Sequence, residues 1–169
     1  KFSVNEFWDD VYKYKVTIFQ YIGELCRYLL NAPFHKHEKD HNLRMVSGNG
    51  LRPDIWDDFK KRFNIKNILE FYGATEGNVS LMNYDGKSGA IGRIPKYMQK
   101  ILNIHIIKFD IEKEEPMRDE NGFCIPCGVN EVGEAIGEIV IPGSFEGYVD
   151  KDATKKKILV DVFAKGDQF

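Results

Sequence analysis

The pattern of apolar and polar positions is most regular between residues 43 and 72. Apolar residues at 43–46 predict a strand. The segment that begins at Pro53 has acidic residues first, basic residues last and one apolar face, which predicts a helix. A second apolar run at 68–72 predicts another strand, and apolar residues resume at 79–82. The order strand, helix, strand predicts a right-handed crossover that places the two flanking strands parallel in one sheet.

Two helices are predicted upstream of this crossover. Ser3 and Glu6 have the spacing of a capping box, which predicts a short helix through Val11. Apolar residues between positions 18 and 30 recur at helical spacing and predict a second helix with a broad apolar face. Gly23 lies in the middle of this second helix, where it indicates close approach by a ligand or by a crossing helix.

Residues downstream of position 82 have shorter apolar runs and more frequent turn residues, which predict a small, mostly antiparallel and barrel-like β portion. The predicted elements are strands at 101–109, 123–125, 133–141 and 160–163, a charged hairpin at 110–121 and a lysine-rich helix at 153–159. The predicted fold class is therefore α/β. A parallel βαβ portion at 1–95 precedes the β-rich portion at 96–169, and both belong to one large domain that is incomplete at both ends.

Composition narrows the possible functions. Of the 169 residues, 43% are hydrophobic and 30% are charged, which is typical of a globular protein that can bury a core. The net charge of -2 lacks the basic footprint of nucleic-acid-binding proteins, so no nucleic-acid partner is predicted. Neither a membrane span nor a secretory signal is predicted. The missing initiator methionine and the abrupt end at Phe169 indicate an internal fragment.

The three cysteines favour a reducing compartment over a disulfide framework. Cys124 and Cys127 have the spacing of a redox or zinc motif. A zinc site would need a second pair, and a thioredoxin-like centre would need a helix start at the first cysteine. Reduced, structural thiols are therefore the favoured interpretation of this pair.

Three histidines and two carboxylates lie between His35 and His41. Their number suggests a metal site, but the segment lacks apolar periodicity and follows Pro33. Because zinc ligands need a rigid scaffold, a solvated loop is the favoured interpretation.

A polar segment with two glycines, residues 73–78, follows the predicted strand at 68–72. Glycine permits the tight backbone that surrounds a phosphate, Thr75 can donate to a phosphate oxygen, and Glu76 can bind a hard cation such as Mg2+. Tyr72 offers an aromatic face to a base. On spacing alone, a glycine-rich turn is the favoured interpretation, because short matches of this kind are common by chance.

A second glycine-containing loop changes this interpretation. Residues 47–52 follow the predicted strand at 43–46 in the same way that residues 73–78 follow the strand at 68–72. In a parallel pair, both loops lie at the carboxyl ends of the strands, where open α/β sheets bind ligands. Two such loops at one edge favour a nucleotide site over an isolated turn.

These two loops resemble those of the adenylate-forming superfamily, and more specifically the fatty acid transport protein / very-long-chain acyl-CoA synthetase family. The loops are Gly48-Asn49-Gly50-Leu51-Arg52-Pro53 and Phe71-Tyr72-Gly73-Ala74-Thr75-Glu76-Gly77-Asn78. Four other stretches resemble the same family: Phe7-Trp8-Asp9-Asp10, Gln20-Tyr21-Ile22-Gly23-Glu24, Gly89-Ala90-Ile91-Gly92-Arg93 and Gly147-Tyr148-Val149-Asp150. The resemblance covers essentially the whole chain, in order.

The resemblance implies a two-step ligase that uses ATP, Mg2+ and coenzyme A. A long- or very-long-chain fatty acid would attack the α-phosphate of ATP to give an acyl-adenylate and pyrophosphate, and the thiol of coenzyme A would then displace AMP. The activity would be coupled to fatty acid uptake. The parent protein would associate with the cytosolic face of a membrane, of the endoplasmic reticulum, the plasma membrane or the peroxisome, without a span in this fragment.

The resemblance also assigns site residues. Tyr72 would stack on adenine, Thr75 would bond the α-phosphate and Glu76 would ligate Mg2+, so that Thr75 and Glu76 are the catalytic candidates. The implied nucleotide-binding residues are Gly48, Asn49, Gly50, Leu51, Arg52, Tyr72, Gly73, Ala74 and Thr75. The helix predicted around Gly23 would line the acyl pocket, with Gln20, Tyr21, Ile22 and Gly23 as candidates.

The sequence lacks the family's upstream phosphate loop, its ribose-binding aspartate motif and its C-terminal lysine. The isolated chain is therefore expected to bind ATP weakly and to have no ligase activity. Two alternatives stay open: a fatty-acid-binding or transport module with a non-catalytic nucleotide site, and an adenylate-forming ligase for another carboxylate.

Overall fold

A computed structural model describes residues 2–73, 78–139 and 158–169 of the chain. The chain forms two compact units. The first unit contains Lys1–Tyr72 and Leu81–Arg93, and the second contains Gly73–Ser80 and Ile94–Phe169. The division of one large domain into portions at 1–95 and 96–169 stays a prediction.

The first unit is built around one sheet. Its elements in chain order are α1 (Phe7–Lys13), β1 (Ile18–Ile22), α2 (Leu25–Asn31), β2 (Met45–Asn49), α3 (Pro53–Arg62), β3 (Ile68–Tyr72) and β4 (Leu81–Asn83). The strand order is β1-β2-β3-β4, with β1, β2 and β3 parallel and β4 antiparallel to β3. The predicted parallel pairing across α3 is confirmed, and so is the α/β class.

The single helix predicted over residues 18–30 is wrong. Residues Ile18–Ile22 form strand β1, and helix α2 begins only at Leu25. The segment contains β-branched and aromatic residues, which favour a strand. Gly23 has a φ of 58°, a left-handed conformation that ends the strand and separates it from the helix. The apparent helical spacing therefore combines the apolar residues of a strand with those of a separate helix.

The predicted boundary between strand and loop at residue 47 is also wrong. Strand β2 runs through Ser47, Gly48 and Asn49, in register with Gln20, Tyr21 and Ile22 of β1. A Cβ atom added to Gly48 would lie 2.1 Å from the carbonyl oxygen of Tyr21. Position 48 thus requires glycine, because β1 approaches it too closely for a Cβ atom. The loop begins at Gly50.

Five of the thirteen buried residues in the core cluster of the first unit are aromatic. Helix α1 contributes Trp8, and α3 with its C-cap contributes Trp56, Phe59 and Phe63, all buried. The rings of Trp8 and Phe63 have their centroids 4.7 Å apart. These residues and Val46 of β2 belong to one buried cluster, which packs both helices against the sheet. Helix α1 confirms the predicted short helix, but its N-cap is Glu6 without a side-chain hydrogen bond, so the predicted capping box is wrong.

An ion pair between a buried carboxylate and a partly exposed arginine joins the end of α3 to the segment after α2. Glu38, only 2% exposed, accepts a hydrogen bond of 2.8 Å from Nη2 of Arg62. Arg62 also donates to the backbone carbonyls of Leu30, Ala32 and Pro33. Burial by itself opposes the charged form of Glu38, but Arg62 and the backbone amide of His35 hold its pKa below the ordinary value.

The substitution Glu38→Gln is expected to destabilise the chain by about 1–3 kcal/mol near neutral pH, because it removes the charged partner of Arg62. Since the pKa of Glu38 is lowered on folding, its charge stabilises the fold above the ordinary carboxyl pKa. That stabilisation is lost as the pH falls through the lowered pKa, so the two proteins should converge in acid. Urea unfolding, followed by the fluorescence of the buried Trp8 and Trp56, measures the difference.

The exposed residue Glu120 supplies the control. Glu120→Gln should change the free energy of unfolding little at either pH. If Glu38→Gln lowered the free energy of unfolding by the same amount at neutral and at acidic pH, the charge of Glu38 would not be the cause.

The second unit is built from short elements. They are α4 (Lys96–Leu102), β5 (Ile104–Ile107), β6 (Phe109–Asp110), β7 (Glu115–Pro116) and β8 (Glu134–Gly137). β5 pairs with β8 and β6 pairs with β7, both antiparallel, as predicted for this portion. The predicted barrel-like closure is not seen among the described residues, since β5 and β8 form one two-stranded sheet and β6 and β7 form another.

Several predicted boundaries in this unit are wrong. The strand predicted at 101–109 is the end of α4 followed by β5 and the start of β6, because Asn103 with a φ of 43° interrupts the apolar run. Residues 160–163 form only an isolated bridge at Val160. Residues 123–125 likewise form a bridge, at Cys124. The helix predicted at 153–159 falls largely outside the described residues.

The three cysteines are free thiols, and Cys26 and Cys124 are buried. Burial raises the pKa of the Cys26 thiol to about 12, with Glu70 and Glu24 adding to the effect. Over the described ranges, no group of three or more His, Cys, Asp or Glu side chains could hold a metal ion. None of the helices that the structure describes is both long and apolar enough to cross a membrane.

Candidate nucleotide site

A cavity of about 390 Å³ lies in the first unit, at the carboxyl ends of β2 and β3. One wall is residues 49–52, which lead from β2 into α3. A second wall is the end of β3 at Phe71 and Tyr72. The complete lining is Asn49, Gly50, Leu51, Arg52, Pro53, Trp56, Glu70, Phe71, Tyr72, Gly89, Ala90 and Ile91. The cavity therefore lies at the carboxyl edge of the sheet, where the crossover topology predicted a ligand site.

Five of the nucleotide-binding candidates line this cavity: Asn49, Gly50, Leu51, Arg52 and Tyr72. Tyr72 is 46% exposed, so part of its ring is available to a ligand. Gly48 does not line the cavity, because it is buried within β2.

Other candidates lie elsewhere or outside the described residues. Gly73 is exposed and belongs to the second unit. Ala74, Thr75 and Glu76 fall outside the described ranges. Their roles at the phosphate and at Mg2+ stay predictions.

The acyl-pocket candidates lie in or directly after β1 rather than on a helix. Gln20 and Ile22 are exposed, whereas Tyr21 is buried with its ring over Gly48. Gly23 follows the strand, and its amide donates to the carbonyl of Asn49 at 2.8 Å. An acyl role for these four residues stays a prediction.

Glu70 of β3 organises the loop that forms the first wall. Its Oε1 accepts hydrogen bonds from the Tyr21 hydroxyl at 2.5 Å and from the Leu51 amide at 3.0 Å. Its Oε2 accepts from the Gly50 amide at 3.2 Å. One carboxylate therefore fixes two consecutive backbone amides of the cavity wall. Burial, followed by the neighbouring Glu70, raises the pKa of Tyr21 well above its ordinary value, so the hydroxyl keeps its proton.

Asn83 of β4 organises a third part of the cavity wall. This side chain is 2% exposed, and its Nδ2 donates to the carbonyls of Lys87 at 2.7 Å and Ala90 at 2.9 Å. Its Oδ1 accepts from the Lys87 amide at 3.2 Å. These bonds close the turn that brings Gly89 and Ala90 to the cavity. The turn-forming residues after position 83 were the signal in the sequence, but they did not indicate a contact with the site.

Asn49 carries an unsatisfied polar atom. Its Oδ1 is buried without a hydrogen-bond partner among the described residues. Buried acceptors are normally paired, because an unpaired acceptor costs about 1–3 kcal/mol. Asn49 lines the cavity, so rotation of its side chain would bring this acceptor within reach of a ligand with an N–H donor.

A parallel α/β sheet with a cleft at its carboxyl edge defines a class of ligand-binding folds, and comparison with known proteins identifies the family. The family model "AMP-binding enzyme" matches residues 1–149. The chain therefore belongs to the AMP-binding enzyme family.

Named relatives describe the similarity more specifically than the family model does. The chain is 49% identical to long-chain fatty acid transport protein 2 of Rattus norvegicus, over 100% of this chain and 27% of that protein. It is 46% identical to human long-chain fatty acid transport protein 1, over 99% of this chain and 26% of that protein. The chain thus spans about a quarter of the length of these relatives.

Solved structures support the fold. A benzoate CoA ligase from Burkholderia xenovorans LB400 aligns with a TM-score of 0.57 at 19% identity, covering 91% of this chain and 29% of that one. O-succinylbenzoate coenzyme A synthetase from Bacillus subtilis also gives a TM-score of 0.57, at 16% identity over 100% of this chain and 36% of that one. Both likenesses concern the fold alone.

Proposed function

We propose that the full-length protein carrying this chain is an ATP-dependent fatty acid–CoA ligase, acting on long- or very-long-chain fatty acids and coupled to their uptake. The observation that carries the proposal is the cavity at the carboxyl edge of the sheet, lined by five of the residues that the adenylate-forming motifs assign to the nucleotide. The names of the fatty acid transport relatives support the fatty acid substrate.

The described residues fit an adenine base. The half-exposed ring of Tyr72 offers a stacking surface. The backbone of residues 50–52 forms one wall of the cavity, in which Glu70 accepts hydrogen bonds from the amides of Gly50 and Leu51. After rotation of its side chain toward the cavity, Asn49 Oδ1 would accept a hydrogen bond from the exocyclic amine of adenine, which would satisfy this unpaired acceptor.

The remaining roles extend from the base to the phosphates and the acyl chain. Thr75 would donate to the α-phosphate and Glu76 would ligate Mg2+, which neutralises charge on the phosphates. Gln20, Tyr21, Ile22 and Gly23 are the candidates for contact with the acyl chain. Coenzyme A is the second substrate, and the parent protein would act at the cytosolic face of a membrane.

Exchange of pyrophosphate into ATP by the full-length protein tests the proposal. Exchange should require both a long-chain fatty acid and Mg2+, since adenylate formation is reversible and precedes any contact with coenzyme A. Tyr72→Ala should raise the KM for ATP about tenfold to a hundredfold, because a base stack contributes about 1–3 kcal/mol. The matched control is Tyr97→Ala, which removes an exposed tyrosine of the second unit.

Two outcomes would contradict the proposal. Fatty acid binding without any exchange would favour a carrier with a non-catalytic nucleotide site. Exchange stimulated by aromatic or amino acids but not by fatty acids would favour a ligase for another carboxylate.

A further inference from the structure

We propose that Tyr21 is a positioning residue for the nucleotide, acting through Glu70 on the backbone of Gly50 and Leu51. This inference rests on the proposed nucleotide site, and for Tyr21, which is buried, it replaces the acyl contact named above. Its basis is a row of three residues that lie side by side on three parallel strands.

The register of the sheet creates this row. Tyr21 of β1 pairs with Gly48 of β2, and Gly48 pairs with Glu70 of β3. Directly paired residues point to the same face of a sheet. The central position carries no side chain, so the Tyr21 ring can lie across β2 and its hydroxyl can reach the Glu70 carboxylate.

The space above Gly48 shows how closely the ring fits. A Cβ atom at this position would lie 2.7 Å from Cγ and from Cδ2 of Tyr21. Any side chain at position 48 would therefore displace the ring from Glu70. Gly48, which the sequence placed in the nucleotide loop, contributes to the site by leaving this path open.

Glu70 connects the row to the cavity. Its carboxylate accepts from the Tyr21 hydroxyl and from the amides of Gly50 and Leu51, which line the cavity. Because Tyr21 and Leu51 share the same oxygen, the hydroxyl fixes the rotation of the carboxylate that the loop uses. Without the hydroxyl, the Glu70 carboxylate can rotate. The backbone of Gly50 and Leu51 is then no longer held at a fixed distance from the nucleotide base.

The test measures ATP binding by titration calorimetry in the full-length protein, in the presence of Mg2+. Tyr21→Phe keeps the ring and removes only the hydroxyl. It is expected to raise the Kd for ATP about tenfold, because a hydrogen bond to a charged group is lost. The Kd for a long-chain fatty acid should change less than about twofold, because the row lies at the nucleotide loop. Tyr28→Phe on α2, an exposed tyrosine, is the matched control and should change neither Kd.

A double variant separates this role from a general loss of stability. If Tyr21 acts through Glu70, Tyr21→Phe should add little to the loss in ATP affinity already caused by Glu70→Gln. Equal weakening of ATP and fatty acid binding, unchanged ATP affinity in Tyr21→Phe, or additive losses in the double variant would overturn the inference. Absence of pyrophosphate exchange in the wild-type protein would instead overturn the proposed ligase activity, while ATP binding would still decide the role of Tyr21.

Discussion

Replacing Glu76 with alanine in the full-length protein is expected to abolish formation of the acyl-adenylate. In the proposed reaction, a fatty carboxylate attacks an α-phosphate that already carries negative charge. Glu76 would hold a Mg2+ ion, which would supply charge neutralisation at the phosphate oxygens. Loss of a single hydrogen-bond donor to a developing charge already costs about a hundredfold to a thousandfold in rate, and loss of a metal ligand is expected to cost at least as much, so that no exchange should be detected. Fatty-acid-dependent exchange of pyrophosphate into ATP measures the loss.

A Mg2+ titration makes this prediction specific. Glu76→Asp keeps the charge on a shorter side chain, so higher Mg2+ concentrations should restore part of its activity. Glu76→Gln keeps the size without the charge and should not be restored. Glu120→Ala, which removes an exposed carboxylate in the second unit, serves as the control. Unchanged exchange in Glu76→Ala would remove Glu76 from the metal site.

The crossover at the centre of the site could be predicted from the sequence because its signals are local. Pro53 at the start of α3, acidic residues before basic ones and an apolar run at 68–72 each depend on neighbours in the chain. The parallel pairing follows from the order of these elements. The position of the cleft follows from the pairing, so Tyr72 and residues 49–52 could be placed without coordinates.

The segment at 18–30 shows where local patterns fail. Apolar residues at 18, 22, 25 and 29 fit a helix, although the first two belong to a strand and the last two to a helix. The deciding contact is the pairing of β1 with β2, some 27 residues further along the chain, as between Ile18 and Met45. Periodicity within one window contains no information about such a partner.

The residues that shape the cavity were missed for a similar reason. Glu70 was assigned only to an apolar strand, yet it binds Tyr21, which lies 49 positions away. Asn83 was assigned to a turn, but its amide fixes the wall at Ala90. Both side chains act through bonds to backbone or to distant strands, and neither belongs to a motif. Sequence motifs readily identify residues that contact a ligand. They less often identify residues that hold those contacting residues in place.

Gly48→Ala is expected to be the most destabilising single-methyl substitution in the sheet, with a loss of about 3 kcal/mol, at the upper end for overpacking. The added Cβ would lie 2.1 Å from the Tyr21 carbonyl oxygen. This oxygen belongs to backbone that is paired along the whole of β1, so it cannot move without separating the strands. Chemical unfolding of the 169-residue chain, followed by the fluorescence of its two tryptophans, measures the loss.

The control for Gly48→Ala is Gly128→Ala, where the added Cβ would meet only the Glu131 carboxylate at 3.5 Å, an ordinary contact. It should change the free energy of unfolding by less than about 1 kcal/mol. In the full-length protein, Gly48→Ala should also weaken ATP binding, because the displaced Tyr21 ring can no longer reach Glu70. Normal stability of Gly48→Ala would show that β1 and β2 can separate at this point, and it would remove the steric argument for glycine there.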